Sequence, residues 1–167
     1  TGGTKGIGKS LVHKFASEGF DIATCARNRD ELDELKLQLE EKYRNTKIFV
    51  VQCDVSIKEE IINFGKSALS EIGTPDALIN NAGTFLPSSL MEEKDQDFEK
   101  SIHTNLSSAY HLTRIIAPLM MNIRKGYIFN MCSTASITAY INGGSYCISK
   151  FALLGFSKVL REEMKEF

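Results

Sequence analysis

Two side chains in the segment SYCISK are spaced to share a proton-transfer task. Tyr146 and Lys150 lie four positions apart, so in a helix both side chains are on one face, one turn apart. An ammonium group beside a phenol favours the phenolate. A tyrosine activated in this way donates a proton to a carbonyl oxygen or takes one from a hydroxyl. Because YxxxK is frequent by chance, an exposed, charged helix face is the alternative for the pair taken alone.

A glycine-rich segment, TGGTKGIG at residues 1–8, has the composition of a phosphate cradle. Glycine lets the backbone turn tightly and approach a ligand, and the free N–H groups at the start of a helix attract phosphate. Leu11, Phe15 and Ala16 follow at helical spacing. The segment therefore predicts a site for the pyrophosphate of a dinucleotide. Its glycines at 2, 6 and 8 differ from the GxGxxG spacing, so a plain surface turn is the alternative for this segment alone.

Strand-like apolar runs alternate with helical patterns along the chain. The runs cover 20–26, 47–53, 76–80 and 127–133, and helical spacing covers 8–18, 29–43, 58–72, 95–123 and 144–166. Strands that are apolar on both faces and alternate with helices form a parallel sheet covered on both sides. The sequence therefore predicts one α/β domain over residues 1–167, a Rossmann-type, doubly wound parallel sheet in three α/β/α layers.

The predicted sheet lacks its first and last strands. A doubly wound sheet places a central strand before the glycine turn, and without that strand its two neighbours would have unpaired edges. We therefore expect an NAD(P)-binding domain that is incomplete at both ends.

Composition excludes several classes of function. Hydrophobic residues make up 43% of the chain, charged residues 25%, and the net charge is −1. These values argue against disorder and against nucleic acid or a membrane as partner. The four cysteines, at 25, 53, 132 and 147, form no CxxC pair, and with three scattered histidines they predict no metal site. We expect reduced, structural cysteines in a cytoplasmic protein.

Together the motifs resemble the short-chain dehydrogenase/reductase family over essentially the whole chain. They occur in the family's order: TGGTKGIG, CDV at 53–55, NNAG at 80–83, Asn105, Ser133, Tyr146 and Lys150. Ser133 precedes Tyr146 by thirteen positions, the interval usual in that family. The resemblance implies an NAD(P)-dependent oxidoreductase that acts on CH–OH groups.

The resemblance also implies a role for each matched position. Tyr146 would be the acid/base, Lys150 would hold the nicotinamide ribose and make the phenol more acidic, and Ser133 would stabilise charge on the substrate oxygen. Asn105 would hold a water that links Lys150 to solvent, and Asn81, Ala82 and Gly83 would line the adenosine side and tie central strands together, with Asp54 and Val55 flanking the adenine. The other residues predicted to bind cofactor are Gly2, Thr4, Lys5, Gly6, Ile7, Gly8, Arg27 and Asn28. The alternatives are a helix-surface amide for Asn105 and a strand-end turn residue for Ser133.

The end of the run 20–26 favours NADP(H) over NAD(H). An NAD site usually ends its second strand in Asp or Glu, whereas Arg27 occupies that place here. An arginine pairs with a 2′-phosphate, which a carboxylate would repel. Lys5 adds a second cation, and Asp30 is assigned to the first turn of the next helix. The Lys–Arg combination resembles NADP-preferring members of the family.

The predicted activity is NADPH-dependent reduction of a ketone or aldehyde, or the reverse oxidation of an alcohol. The segments CSTAS and SYCISKF resemble sepiapterin and tropinone reductases. This resemblance does not place those two substrate classes above that of the 3-oxoacyl-carrier-protein reductases. A catalytically silent NADP-binding sensor or scaffold is the alternative. Apolar or small residues near the site favour an apolar or ring-bearing substrate: Phe85, Leu86, Ala135, Ile137, Tyr140 and Ile141.

The last predicted helix is apolar on more than one side, which indicates burial on more than one side. Family members pair such helices across a two-fold axis, so we expect a homodimer or homotetramer. Burial under a further C-terminal part of the protein is the alternative.

Overall fold

Helices and strands alternate along the chain as the apolar pattern predicts. The computed structural model describes residues 1–167. The helices are α1 (Gly6–Ser17), α2 (Arg29–Lys42), α3 (Lys58–Ile72), α4 (Asp97–Ile102), α5 (Ser108–Ile123) and α6 (Gly144–Glu163). The strands are β1 (Ile22–Ala26), β2 (Ile48–Gln52), β3 (Ala77–Asn80) and β4 (Tyr127–Asn130). A π-helical turn, His103–Ser107, joins α4 to α5, and a 3₁₀ turn, Thr134–Ser136, follows β4.

The strands form two parallel pairs. β1 pairs with β2, and β3 pairs with β4. β1 and β3 are not hydrogen-bonded to each other, and both line a cavity of about 630 Å³ together with α1 and α3. The first two residues bridge the pairs: the Thr1 nitrogen donates to the Ile79 carbonyl at 2.8 Å, and the Gly2 nitrogen donates to the Cys25 carbonyl at 2.9 Å. The glycine turn therefore begins between the two strand pairs.

Two apolar clusters cover opposite faces of the strands. Along β1, Ile22 packs with residues of α1 and α2, whereas Cys25 packs with residues of α3 and α5. Side chains alternate between the faces of a strand, so different helices cover each face. The predicted α/β fold, with parallel strands between helical layers, is confirmed. All four cysteines are free, and three of them are buried.

Several boundaries differ from the sequence prediction. The first strand begins at Ile22, and Phe20 belongs to the turn after α1, where its nitrogen bonds the Phe15 carbonyl and the two rings pack edge-on with centroids 5.3 Å apart. The strand predicted to reach residue 133 ends at Asn130. The helix predicted over 95–123 is interrupted by the π-helical turn, and the last helix ends at Glu163. None of the helices has the length and apolar character needed to cross a membrane.

Candidate active site

The glycine turn wraps the start of α1. Gly2 and Gly6 have φ angles of +70° and +52°, a region that favours glycine. A Cβ at Gly8 would lie 2.1 Å from the carbonyl oxygen of Gly2, so the turn and the helix approach too closely for any side chain there. Lys5, the N-cap residue, makes no side-chain capping bond. The first N–H groups of α1 are therefore available to an anion, and the adjoining Ile7 is exposed.

The turn is bonded to the NNAG segment that follows β3. The Asn81 Nδ2 donates to the carbonyl oxygens of Thr1 and Gly2, at 2.9 and 3.3 Å. The backbone nitrogens of Asn81 and Ala82 donate to the Thr1 hydroxyl, at 3.2 and 3.0 Å. These bonds join the NNAG segment to the glycine turn, and the Asn81 side chain takes part in them. The predicted contact with adenosine stays a prediction.

Near the end of β1, the Glu31 carboxylate accepts hydrogen bonds from two segments. The Lys5 Nζ lies 2.7 Å from the Glu31 Oε1, and the Asn28 Nδ2 donates to the same oxygen at 3.1 Å. The hydrogen bond from Lys5 is the main reason that the pKa of Glu31 is lowered, and Thr4 and Asn28 contribute to the same shift. Asn28 caps α2, since its Oδ1 accepts from the Glu31 nitrogen at 3.2 Å. Lys5 is thus already paired, whereas Arg27 is exposed.

Asp54 and Val55 follow β2. The Asp54 Oδ1 accepts from the backbone nitrogen and the hydroxyl of Ser56, at 2.9 and 2.7 Å. Burial by itself opposes ionisation of Asp54, but these bonds, with Arg27 and Lys100 nearby, lower its pKa. The Val55 side chain is buried in the larger apolar cluster. Their contacts with adenine stay a prediction.

Asn105 lies inside the π-helical turn and is only 2% exposed. Its Oδ1 accepts from the Thr84 nitrogen at 2.7 Å, and its Nδ2 donates to the Thr84 carbonyl at 3.0 Å and to the Ser149 hydroxyl at 2.9 Å. The alternative of a helix-surface amide is therefore wrong. The side chain joins the loop after β3, the π-helical turn and α6. One lone pair of Oδ1 is left for the predicted water.

Lys150 is buried beside the loop after β3. Its Nζ donates to the Met131 carbonyl at 2.7 Å and lies 3.6 Å from a Cβ built on Gly83. The same atom lies 5.9 Å from the ring centroid of Tyr146. Burial lowers the pKa of Lys150. Since an ammonium group has three donors, two remain for a bound group.

Tyr146 and Ser133 lie on elements that pack together, α6 and the 3₁₀ turn after β4. The Tyr146 ring packs edge-on against Phe85, with centroids 4.7 Å apart. The Ser133 oxygen accepts from the Ala135 nitrogen at 3.1 Å, and the Ser136 hydroxyl accepts from the Ser133 nitrogen at 3.0 Å. Ser133 therefore caps the 3₁₀ turn, in agreement with the alternative of a strand-end turn residue. Its hydroxyl proton is still available to a substrate oxygen.

These residues fit a dinucleotide cofactor. The open N–H groups of α1 suit a pyrophosphate, and the two free donors of Lys150 suit ribose hydroxyls. Both groups lie at the carboxyl ends of parallel strands, where open α/β sheets bind their ligands.

The profile described as short chain dehydrogenase matches residues 1–167. The chain belongs to the short-chain dehydrogenase family. The resemblance found from the motifs is thereby confirmed, and so is the predicted class of oxidoreductase acting on CH–OH or carbonyl groups.

Several curated short-chain dehydrogenases are similar to the chain. A tropinone reductase homolog of Arabidopsis thaliana is 37% identical over 154 residues, which cover 92% of this chain and 57% of the relative. The 3-oxoacyl-[acyl-carrier-protein] reductase FabG of Staphylococcus epidermidis is 28% identical over 165 residues, covering 98% and 67%. The NADPH-dependent pterin aldehyde reductase of A. thaliana is 29% identical over 167 residues, covering 99% and 68%. The chain thus spans between 57% and 68% of these relatives.

Solved short-chain dehydrogenases share the fold. A 7α-hydroxysteroid dehydrogenase complexed with NADH and 7-oxo glycochenodeoxycholic acid is 28% identical with a TM-score of 0.91, covering 99% of this chain and 64% of its own. The L-sorbose reductase of Gluconobacter frateurii, complexed with NADPH and L-sorbose, is 31% identical with a TM-score of 0.91, covering 99% and 62%. The neighbours therefore include complexes with NADH and with NADPH.

The structure adds a residue that the motifs of this short-chain dehydrogenase did not identify. Glu93, in the loop between β3 and α4, accepts from the Ser145 nitrogen at 2.5 Å and from the Ser145 hydroxyl. A Cβ at Gly144 would lie 2.1 Å from the Glu93 Oε1, and the φ angle of Gly144 is +35°. Glu93 therefore caps α6 directly before Tyr146. The same loop carries Phe85, so it is fixed to the helix at one point and contacts the tyrosine ring at another.

Proposed function

We propose that this short-chain dehydrogenase is an NADPH-dependent reductase of ketones or aldehydes, and an alcohol dehydrogenase in reverse. The observation that supports this function is the position of α6. Lys150 bonds the Met131 carbonyl directly after β4, and the Tyr146 ring packs against Phe85 in the loop after β3. Asn81 of the same loop bonds the glycine turn that opens α1. The nicotinamide, when bound, supplies the hydride.

The chain's own residues orient and protonate the substrate. The Tyr146 hydroxyl donates a proton to the carbonyl oxygen during reduction and accepts one from the alcohol during oxidation. The Ser133 hydroxyl donates a hydrogen bond to the same oxygen and stabilises its developing charge. Lys150 holds the nicotinamide ribose through the donors that Met131 does not use. Asn105 keeps α6 in register with the loop after β3 through Ser149.

Charge at the adenosine end supports NADPH over NADH. Arg27 is exposed directly after β1, and no acidic residue lies at that position. A guanidinium group binds a phosphate through two parallel hydrogen bonds. Asp30 lies in the first turn of α2, as predicted. One curated relative and one solved neighbour are named with NADPH.

Exposed apolar side chains that were predicted near the site support an apolar or ring-bearing substrate. Phe85, Ile137, Tyr140 and Ile141 are exposed, with 90% of Ile141 accessible. Ala135, by contrast, is fully buried and so does not itself offer surface to a substrate. The curated relatives include a 3-oxoacyl-[acyl-carrier-protein] reductase, a tropinone reductase homolog and a pterin aldehyde reductase. We therefore propose a carbonyl group on an apolar or cyclic body.

Oxidation of NADPH with a panel of ketones and aldehydes tests the function. Tyr146→Phe should lower kcat by about 100-fold or more while NADPH still binds, because only the proton donor is lost. Tyr127→Phe is the matched control, because Tyr127 is an exposed tyrosine at the start of β4, the end away from the site, and it should change kcat by less than about threefold. Binding of NADPH without turnover of any substrate by the wild type would favour the sensor. Equal activity of both variants would contradict the role of Tyr146.

A stripe on α6 supports a homodimer or homotetramer. Ile148, Phe151 and Val159 are exposed at helical spacing, and Gly155 between them leaves open space. We propose that a second copy covers this stripe. Light scattering on the intact protein should give twice or four times the monomer mass, and Phe151→Glu should lower that mass without unfolding. A monomeric wild type would contradict the proposal.

A further inference from the structure

We infer that Glu31 sets the cofactor preference by competing with the 2′-phosphate for Lys5. The inference rests on the proposed function, because it concerns the adenosine end of the same site. Lys5 and Arg27 are the two cations predicted to meet that phosphate. In the structure Lys5 already has a carboxylate partner, at 2.7 Å.

Glu31 lies where donors of two segments converge. Its Oε1 accepts from Lys5 of the glycine turn and from Asn28 of the turn between β1 and α2. Asn28 directly follows Arg27. A carboxylate therefore already accepts the hydrogen bonds that an incoming anion would need. A phosphate that binds between these segments has to take Lys5 from it.

The side chains of Lys5 and Glu31 differ in how freely they can move. The Lys5 side chain is 77% exposed, whereas Glu31 lies on α2, has a side chain that is 28% exposed, and is held by the capping residue Asn28. Lys5 is therefore the partner that can move to a phosphate. The ionised carboxylate stays in place and repels the phosphate through space. Both effects weaken binding of a 2′-phosphate and leave an unphosphorylated ribose nearly unaffected.

Glu31→Gln separates the charge from the fold. Glutamine keeps the side-chain oxygen that accepts from Asn28, and glutamine is favourable at this capping position. Asp30→Asn is the matched control, because it removes the same charge one residue earlier, in the first turn of α2. The probes are adenosine 2′,5′-bisphosphate and adenosine 5′-monophosphate, titrated calorimetrically at low and high salt.

We expect Glu31→Gln to bind the bisphosphate about threefold to tenfold more tightly than the wild type, and the monophosphate within about twofold. Asp30→Asn should stay within about twofold of the wild type for both nucleotides. The gain of Glu31→Gln should shrink at high salt, since the interaction is electrostatic and partly exposed.

Unchanged or weaker bisphosphate binding by a folded Glu31→Gln variant overturns the inference. If the wild type nevertheless binds the bisphosphate more tightly than the monophosphate, the proposed function is unaffected. Failure of the wild type to bind either nucleotide contradicts the proposed function and removes this inference with it.

If circular dichroism shows that the Glu31→Gln variant does not fold, a second comparison tests the inference. Lys5→Met should then weaken bisphosphate binding by less than about threefold, because the lysine only exchanges one anion for another. Arg27→Met should weaken it by more than about tenfold, because Arg27, unlike Lys5, has no carboxylate within ion-pair distance that the phosphate would have to replace. Equal losses in the two variants overturn the inference.

Discussion

Replacement of Lys150 by methionine tests whether this buried charge serves chemistry rather than stability. Lys150 is 5% exposed, and its ammonium group has one acceptor in the chain, the Met131 carbonyl at 2.7 Å. Methionine is an unbranched, apolar side chain that fills a similar space. The variant therefore removes the charge while keeping most of the packing around α6.

The two expected effects have opposite signs. An ammonium group loses several kcal/mol of solvation on burial, and one hydrogen bond to a charged donor returns only about 1.5–3 kcal/mol. We therefore expect Lys150→Met to raise the free energy of unfolding at pH 7 by about 0–2 kcal/mol. The same variant should lower kcat/KM by about 100-fold or more, because the ribose anchor and the cation near Tyr146 are lost together.

The stability difference should also depend on pH. Burial lowers the pKa of Lys150 in the folded protein from its ordinary value of 10.5. Between the lowered pKa and 10.5, the unfolded chain binds more protons than the folded chain, so the contribution of this lysine to stability rises with pH. The methionine variant lacks this rise. Its advantage over the wild type should therefore shrink as the pH increases through that window.

Urea unfolding followed by circular dichroism at several pH values measures the first effect, and NADPH oxidation measures the second. Lys158→Met is the control, because Lys158 is exposed on the same helix. It should change both quantities little. A Lys150→Met variant that is less stable by more than about 1 kcal/mol would show that the charge stabilises the fold. Turnover within about tenfold of the wild type would refute the proposed role of Lys150.

Three further substitutions test other parts of the site. Arg27→Asp should lower the ratio of kcat/KM for NADPH to that for NADH by about 100-fold, because a charge-assisted bond is lost and a carboxylate opposes the phosphate; an unchanged ratio would mean that the phosphate binds elsewhere. Gly8→Ala places a Cβ 2.1 Å from a carbonyl oxygen of the turn, so calorimetry should show NADPH binding weakened by more than about tenfold, and wild-type affinity would show that the turn adapts. Glu93→Ala removes the cap at Ser145 and should lower the free energy of unfolding by about 1–2 kcal/mol in urea titrations. Glu92→Ala, at an exposed position, should change it by less than about 0.5 kcal/mol. Equal losses of stability in the two variants would contradict the capping role of Glu93.

The elements and the motif residues could be predicted because their signals are local. Apolar runs identify β1 to β4, and the spacing of Tyr146 and Lys150 places them on one helix face whatever the tertiary structure. The π-helical turn around Asn105 was not predicted, since apolar residues continue at helical spacing on both sides of it. One extra residue in the turn leaves little trace in that pattern.

The carboxylates of the site could not be predicted, because each acts across a long sequence separation. Glu31 meets Lys5 from 26 positions away, and Glu93 meets Ser145 from 52. In the sequence both are ordinary acidic residues of charged segments. Only the fold brings Glu31 to the glycine turn and Glu93 to the start of α6.

The amide of Asn105 offers one acceptor and two donors in a single plane, and it meets the backbone of Thr84 as a neighbouring peptide unit would. A descendant of this chain that had abandoned turnover would still need asparagine there to dock the loop onto α6. The presence of that asparagine therefore reflects its structural role and does not by itself show that an enzyme is active. The phenol at Tyr146, which makes no comparable contribution to architecture, is the better marker of chemistry.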